Sequence, residues 1–319
     1  MTTGLIILNY NSSDDTINCI ESIERVNTSP IKYIIVDNGS SNPYIVPKLN
    51  DYLKSKFASK HILLNENDKI PDILPYSTLL VSKNNTGYAC GNKKGLKLAY
   101  HDKEIDTILI INNDVIFIDD FISPLRRWLW NDDKTMLVSP LILKRDGKTI
   151  DPNCARRKKT YRYIIAWFIF IFSDIFGILR KMQKELFIIN NNEIPSQNIK
   201  IEMPSGSCFM VKKKEFKQID DFDPNTFLYY EEDILSAKIS DYGKQCLLIP
   251  TYTCIHIGGS STNKRSSNFI FRTSIESARY YAKKYLKVGF TKYIILYIIT
   301  SLSLITHIFK NYFYKRIKN

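Results

Sequence analysis

The sequence predicts an α/β fold, with a mostly parallel central sheet flanked by helices and a helical C-terminal extension. Three observations predict it. First, an apolar run Leu5–Leu8, a helical stretch from about Asp15 to Val26 and a second apolar run Ile31–Val36 follow one another within about forty residues, the length of a βαβ unit with parallel strands. Second, Ile108–Ile111 is a β-branched apolar run of the kind buried on both sheet faces, and it stops abruptly at Asn112-Asn113-Asp114. Third, from Ser266 onward the pattern turns helical, with basic residues alternating with tyrosines.

The elements follow in order. Ser13 or Asp14 is a helix N-cap, Ile17, Ile20 and Ile23 form one apolar face, and Pro30 closes the first helix. Lys48–Lys60 reads as a helix, Asn65–Tyr76, with Pro71 and Pro75, as a loop or insertion, and Leu79–Val81 as a short strand. Asn84–Gly95 is glycine- and amide-rich and leads into a helix over Leu96–Tyr100. After the NND strand, Phe121–Trp130 reads as a helix, Met136–Leu143 as a strand and Asp146-Gly147 as a hairpin turn. Arg156–Leu179 is a basic, aromatic-rich apolar stretch. It fits a membrane interface or a buried helix pair, and Asp174 argues against spanning. Ile201–Val211 is a loop running into a strand, and Lys212–Lys214 begin a helix or turn. Leu247–Ile249 and Thr251–Ile255 read as two strands leading to His256-Ile257-Gly258-Gly259-Ser260-Ser261. Tyr293–Phe309 is free of formal charge apart from His307, and Lys310, Lys315, Arg316 and Lys318 close the chain. That length is at the lower edge for a span, with cationic flanks that suit the cytoplasmic side. The expected division is residues 1–265 as the α/β domain, carrying a basic-apolar insertion at about 155–185, and 266–319 as the helical extension.

Composition narrows the classes of partner. The 319 residues carry a formal charge of +13 and 44% hydrophobic residues, which allows a sizeable core and an anionic partner: a phosphorylated substrate, a membrane surface or nucleic acid. The six cysteines form no CxxC pair and fit a reducing compartment. The N-terminus reads as a strand rather than an export signal, so a cytoplasmic location is expected.

The chemistry-bearing residues sit at strand ends. In open α/β sheets ligands bind at the carboxyl ends of the strands, so Asp37 is placed to accept from a base or ribose, or else to serve the turn before Asn38-Gly39. Asp114 suits a hard divalent cation, which takes oxygen ligands and shares them with phosphates. The glycines of Asn84–Gly95 would let the backbone approach a phosphate, although the spacing is not that of a Walker loop. Glu231-Glu232-Asp233 stand at a helix start, where acids are also favoured by the helix dipole alone. His256 ends a strand, in a structural or a ligating role.

The ordered set ILNYN, VDNGSS, NTGYACGN, NND, FLYYEED and HIGGS, covering about residues 4 to 262, resembles the inverting nucleotide-sugar glycosyltransferases of the GT-A fold (family 2), especially the rhamnosyltransferase-like branch that builds bacterial surface polysaccharides such as capsule or O-antigen. The resemblance implies a nucleotide-sugar donor and a saccharide acceptor. It places Asn9, Tyr10 and Asp37 on base and ribose, and Asn85, Gly87 and Asn92 along the nucleotide and donor sugar. It sets Asn112 and Asn113 beside the donor, Asp114 on Mg²⁺ or Mn²⁺ bridging the diphosphate, and His256 as a further metal or diphosphate contact. The family usually reads Y-x-E-D-x-D at its base. Here Glu232 falls on the base position, and Glu231 takes it if the register slips by one. The basic apolar segments imply a lipid-linked acceptor at the inner leaflet and a chain peripheral on the membrane. A nucleotidyltransferase would carry a glycine-rich basic loop after the first strand, which ILNYNSS lacks. A nucleic-acid binder would show a basic stripe or a known motif, so no nucleic-acid partner is expected.

Overall fold

The computed structural model describes residues 2–173, 177–189, 191–258 and 267–318, with side chains to 312. The first half is β1 (Thr2–Asn9), α1 (Ser13–Val26), β2 (Ile31–Asp37), α2 (Ile45–Phe57), β3 (His61–Asn65), β4 (Ser77–Val81), α3 (Gly87–His101) and β5 (Ile105–Asn112). Then come β6 (Val115–Phe117), α4 (Ile122–Trp130), β7 (Thr135–Lys144), α5 (Tyr161–Phe170), α6 (Ile178–Leu186), β8 (Ile199–Ile201) and β9 (Cys208–Lys212). The chain closes with α7 (Lys213–Gln218), α8 (Glu231–Asp241), β10 (Gln245–His256), α9 (Ser267–Lys284) and α10 (Phe290–Lys318).

Among the described residues one ten-stranded sheet runs β3-β4-β2-β1-β5-β9-β7-β10-β6, with β8 on β10. β3, β4, β2, β1 and β5 are mutually parallel, and β9 runs antiparallel between β5 and β7. The parallel strands read as unbroken apolar runs because both faces are covered: Leu5–Ile7, Ile34–Val36 and Ile108–Ile111 are all buried. The chain leaves β1 toward β2 and returns to β5 on its other side. The carboxyl ends of β1 and β5 therefore flank a topological switch point.

Three expectations are corrected. The helix after the glycine segment starts at Gly87, not Leu96. Gly91 and Gly95 lie inside it because the helix packs closely on the sheet: a Cβ at Gly91 would lie 2.7 Å from Leu8 Cδ1, and one at Gly95 2.7 Å from Ile6 Cγ2. The second helix is Ile45–Phe57, with a 3-10 turn over Ala58–Lys60, and a strand, β3, follows over His61–Asn65 where the sequence reading assigned no element before its loop at Asn65. β10 is one strand, whose register on β7 shifts between Ile249 and Thr253, around Pro250. Of the stretch Arg156–Leu179, Tyr161–Phe170 (α5) and the start of α6 are helical, while Arg156 bridges Phe187 and Met203 in an extended segment. Asp174, like Gly259, Ser260 and Ser261, lies outside the described residues.

A second apolar cluster lies apart from the sheet's core. It joins Ile164 and Phe168 of α5, Tyr230 and Ile234 at α8, Phe271, Ile275 and Tyr281 of α9, and Leu296 of α10. α9 and α10 run antiparallel, tied by Arg279 to Thr300 and Ser301 at one end and by Asn268 to Asn311 at the other. By length and composition, Phe290–Tyr312 of α10 could cross a membrane, with a mean hydropathy of 1.6 and 17% of it buried.

Candidate active site

Three parallel strands end together, and their polar tips are stitched to one another. Asn9, fully buried, donates to Asp37 Oδ1 at 2.7 Å and accepts from Thr16 Oγ1 at 2.9 Å. Asn113 reaches the same Thr16 hydroxyl at 3.1 Å and the Ser12 carbonyl at 3.2 Å. Asp37 also takes the Ser40 hydroxyl at 2.5 Å and the Ser40 N–H at 3.1 Å. Asn9 and Asn113 thus orient their neighbours from inside the protein, while Tyr10 and Asn112 are half-buried at the edge. Buried polar groups of this kind have to be paired, and the pairing fixes where Asp37 stands.

The glycine segment supplies the adjoining wall. Asn85 Oδ1 accepts the Gly87 N–H at 2.9 Å, and the Tyr88 N–H goes to the Phe227 carbonyl at 3.0 Å. Gly87 has φ +85°, and a Cβ there would lie 2.2 Å from the Phe227 carbonyl oxygen. What this glycine lets approach is the backbone just before the acid run. Asn92 is buried, donating to the Tyr88 carbonyl at 3.0 Å, and its Oδ1 has no partner.

Asp114 lies in the turn between β5 and β6. β6 pairs antiparallel with β10, setting Val115 opposite His256, so the His256 ring arrives 3.2 Å from Asp114 Oδ1. The Ile257 N–H adds a bond to the Asp114 carbonyl at 2.9 Å. Burial lowers the His256 pKa, but the Asp114 carboxylate outweighs it and the net shift is upward. A carboxylate and an imidazole side by side are a donor pair for a divalent cation, and Mg²⁺-type sites are commonly completed by substrate phosphates. Among the described residues no group of three or more His, Cys, Asp or Glu side chains stands together, so this pair fits a cation only with substrate oxygens completing the shell.

The acid run arrives on a strained backbone. Tyr229 and Tyr230 have φ of 72° and 69°, in the left-handed region that non-glycine residues enter at a cost of about 1–3 kcal/mol each. Packing holds them there. The Tyr230 ring lies 5.5 Å from that of Tyr281, Lys159 Nζ sits 4.5 Å above it, and Ser277 Oγ donates to the Leu228 carbonyl at 2.9 Å. Each acid then has a different fate. Asp233, fully buried, is paired with Lys159 Nζ at 2.6 Å. Glu231 is buried with its Oε1 unpartnered; burial and then the charge of Glu232 raise its pKa to about 8, so it is protonated at neutral pH. Glu232 is half-buried and accepts the Gly206 N–H at 3.2 Å.

Gly206 links this cluster to the strand tips. Its carbonyl takes the Tyr88 hydroxyl at 2.5 Å, and the next carbonyl, of Ser207, takes the Asn112 N–H at 2.8 Å. From Glu232 the path to Asp114 is Gly206, Ser207, Asn112. The structure therefore brings Asp114, Asn112, His256 and the two glutamates to one edge of the sheet, with Asp37 and the start of α3 alongside. Sequence reasoning passed over Gly206, Lys159 and Asn38, whose Nδ2 donates to the Gly87 carbonyl at 3.0 Å. The signal for Gly206 was there: a glycine between two serines entering a wholly buried strand.

No family model matches the chain. It is 23% identical over 230 residues to the low-salt glycan biosynthesis hexosyltransferase Agl10 of Haloferax volcanii, covering 72% of this chain and 58% of that protein. It is 25% identical over 211 residues to the rhamnosyltransferase WbbL of Escherichia coli K12, covering 62% of this chain and 71% of that one. The chain thus spans less than two thirds of the length of the first of these relatives. Its fold is similar to a crystal structure of GalNAc-T7 with UDP, GalNAc and Mn²⁺, with a TM-score of 0.59 and 13% identity over 88% of this chain and 47% of that one.

Proposed function

From the premise that the relatives and the fold together support, a GT-A glycosyltransferase of family 2, we propose that the chain moves a hexosyl or rhamnosyl unit from a nucleoside-diphosphate donor to a saccharide acceptor with inversion, in surface polysaccharide synthesis. The observation that carries the proposal is the convergence of Asp114 and Glu232 on one edge through Gly206, Ser207 and Asn112.

The chain's own groups have distinct tasks. Asp37, positioned by Asn9 and Ser40, and Tyr10 face the nucleoside, with Asn85, Gly87 and Asn92 along the nucleotide and donor sugar. Asn113 acts by holding Thr16 and the β1 tip in place. Asp114 and His256 would hold Mg²⁺ or Mn²⁺, which when bound supplies positive charge to the diphosphate oxygens. Glu232 accepts the acceptor hydroxyl's proton as that oxygen attacks the anomeric carbon, whose bond to the nucleoside-diphosphate oxygen breaks as the diphosphate leaves with the electron pair. Burial and the neighbouring Glu232 carboxylate favour the protonated form of Glu231. Direct attack without an enzyme nucleophile inverts the anomeric centre.

The acceptor is lipid-linked, and the chain lies on the cytoplasmic face of the membrane without crossing it. α10 presents Ile294, Tyr297, Ile298, Leu302, Ile305 and Phe309 to solvent, each at least 41% exposed, along one face of the helix. Arg279 of α9 is bound along the flank of this face, to Thr300 Oγ1 and the Tyr297 carbonyl and over the Tyr297 ring, and its guanidinium would be dragged into hydrocarbon if α10 spanned.

Glu232→Gln tests the base. Transfer should fall at least about 100-fold, the lower end of what general-base catalysis contributes, while donor binding stays within about twofold. Undiminished turnover of that variant overturns the assignment.

A further inference from the structure

Behind the acid run lies a cavity of about 420 Å³, walled by α5, α6, α9 and α10. Tyr163, Trp167, Ile171 and Phe271 give it an apolar floor, and Tyr229 and Tyr230 form its side toward the glutamates. Its size is within the range of sites that bury small ligands.

Two cations line it, and they differ. Lys159 is spent on Asp233. Arg156 is held by its backbone, which exchanges N–H to carbonyl bonds with Met203 in both directions. Its guanidinium has no ion pair or hydrogen bond among the described residues, and its Nε is buried without a partner. A buried guanidinium nitrogen left unpaired is costly, and planar N–H donors of this kind suit phosphate oxygens. An apolar cavity with an unpaired guanidinium at its wall is complementary to an alkyl chain ending in phosphate. The cavity also shares a helix with the exposed apolar face: His307, on α10, lines it.

We propose that this cavity binds a single-chain lipid phosphate, with the phosphate on Arg156, the chain on Trp167, Ile171 and Phe271, and the group beyond the phosphate directed past Tyr229 toward Glu232. The inference deepens the glycosyl-transfer reading, since it identifies where the lipid of a lipid-linked acceptor is held. The phosphate chemistry has a second source, the headgroup of a two-chain bilayer lipid, and the experiment separates the two.

The purified full chain is titrated calorimetrically with dodecyl phosphate below its critical micelle concentration, and in parallel with dodecyl maltoside, inorganic pyrophosphate and dihexanoyl phosphatidic acid. Saturable one-to-one binding of dodecyl phosphate is expected, at least about tenfold tighter than any of the other three. Arg156→Ala should weaken it about tenfold or more, the usual loss for a hydrogen bond to a charged group, and Arg156→Lys should restore part of it. Ser274→Trp, which fills the cavity from α9, should abolish it; if that variant does not fold, the two Arg156 variants decide alone. Equal affinity for the maltoside, indifference to Arg156, or tighter binding of the phosphatidic acid overturns the proposal. Nucleoside-diphosphate binding is measured on the same samples. Its absence from the wild type, with the dodecyl phosphate site intact, removes the transfer reading and leaves the cavity assignment standing. The reverse pattern removes the cavity assignment alone.

Discussion

Gly206→Ala is the sharpest test of how the site is built. The backbone of Gly206 lies outside the left-handed region, so alanine is conformationally allowed there. Its Cβ would lie 2.6 Å from Glu232 Oε1 and 3.2 Å from the Tyr88 hydroxyl. Ordinary contact begins at 3.4 Å, so the carboxylate must retreat by about 0.8 Å and lose the Gly206 N–H that now fixes it at 3.2 Å. The atom displaced is the end of a flexible side chain, so stability should change by less than about 1 kcal/mol. Catalysis is far less tolerant, since a misplacement of about 1 Å can cost about a hundredfold. We expect kcat to fall about a hundredfold, with donor binding and Tm close to wild type, measured by product formation, calorimetry and thermal denaturation. Gly95→Ala is the control with the opposite pattern. Its Cβ would lie 2.7 Å from Ile6 and 3.1 Å from Val36, inside the sheet packing, so it should lose about 1–3 kcal/mol of stability and leave turnover of the folded fraction intact. Wild-type turnover in Gly206→Ala would mean that Glu232 is not held at the reacting centre.

Three further outcomes follow from the same structure. Because Glu231 has its pKa raised from 4.5 to about 8, the folded state holds a proton the unfolded state releases; stability should decline as pH rises between those values and level off above, and Glu231→Gln should flatten that slope in urea titrations. Asp223 takes the Tyr280 hydroxyl, Lys284 and the Tyr285 hydroxyl at 2.8, 2.8 and 2.5 Å; burial raises its pKa, but the bonds from Lys284, Tyr285 and Asn225 outweigh it and hold it well below the usual range. Asp223→Ala should therefore cost about 1–3 kcal/mol at neutral pH, discounted for the exposed Lys284, and proteolysis should reach residues 285–289 sooner. Ile298→Asp with Leu302→Asp, both more than half exposed, should leave Tm unchanged and weaken flotation with anionic vesicles by at least about tenfold, since each apolar side chain is worth about 1–2 kcal/mol in the interface.

Why some of this was legible from residues and some not comes down to range. β1, β2 and β5 announce themselves because strands buried on both faces need no partner information: the apolar run suffices. The start of α3 misled because Gly87, Gly91 and Gly95 lower helix propensity, yet Gly91 and Gly95 are where the helix lies closest to Leu8 and Ile6, and Gly87 is where it meets the Phe227 backbone; packing outweighed propensity. β3 was passed over because HILLN alternates weakly and directly follows a lysine-rich helix. β10 was divided at Pro250, which sits where the ladder shifts register. At the site, the residue types were readable, but their meeting was not. His256 reaches Asp114 only through the β6–β10 register, and Lys159 reaches Asp233 only because α5 folds over α8.

The placement of the acid run explains why its backbone is strained. α8 is shared by two cores: Ile234 belongs to the cluster with α9 and α10, and Leu235 and Ile239 belong to the core of the sheet. A helix gripped from both sides cannot rotate to relax its first turn, so the left-handed pair Tyr229-Tyr230 is imposed by packing. The consequence is separation of three adjacent acids into three environments. Asp233 turns to Lys159 on the helical side, Glu231 is buried between with its Oε1 unpartnered, and Glu232 faces Gly206 on the sheet side. Loosening either grip should therefore lower activity by moving Glu232 before it unfolds the chain. Ile234→Ala is the substitution that separates the two effects: in it, kcat should fall at denaturant concentrations where the sheet is still intact by far-ultraviolet circular dichroism. If activity and secondary structure are lost together, the two cores do not act on Glu232 independently.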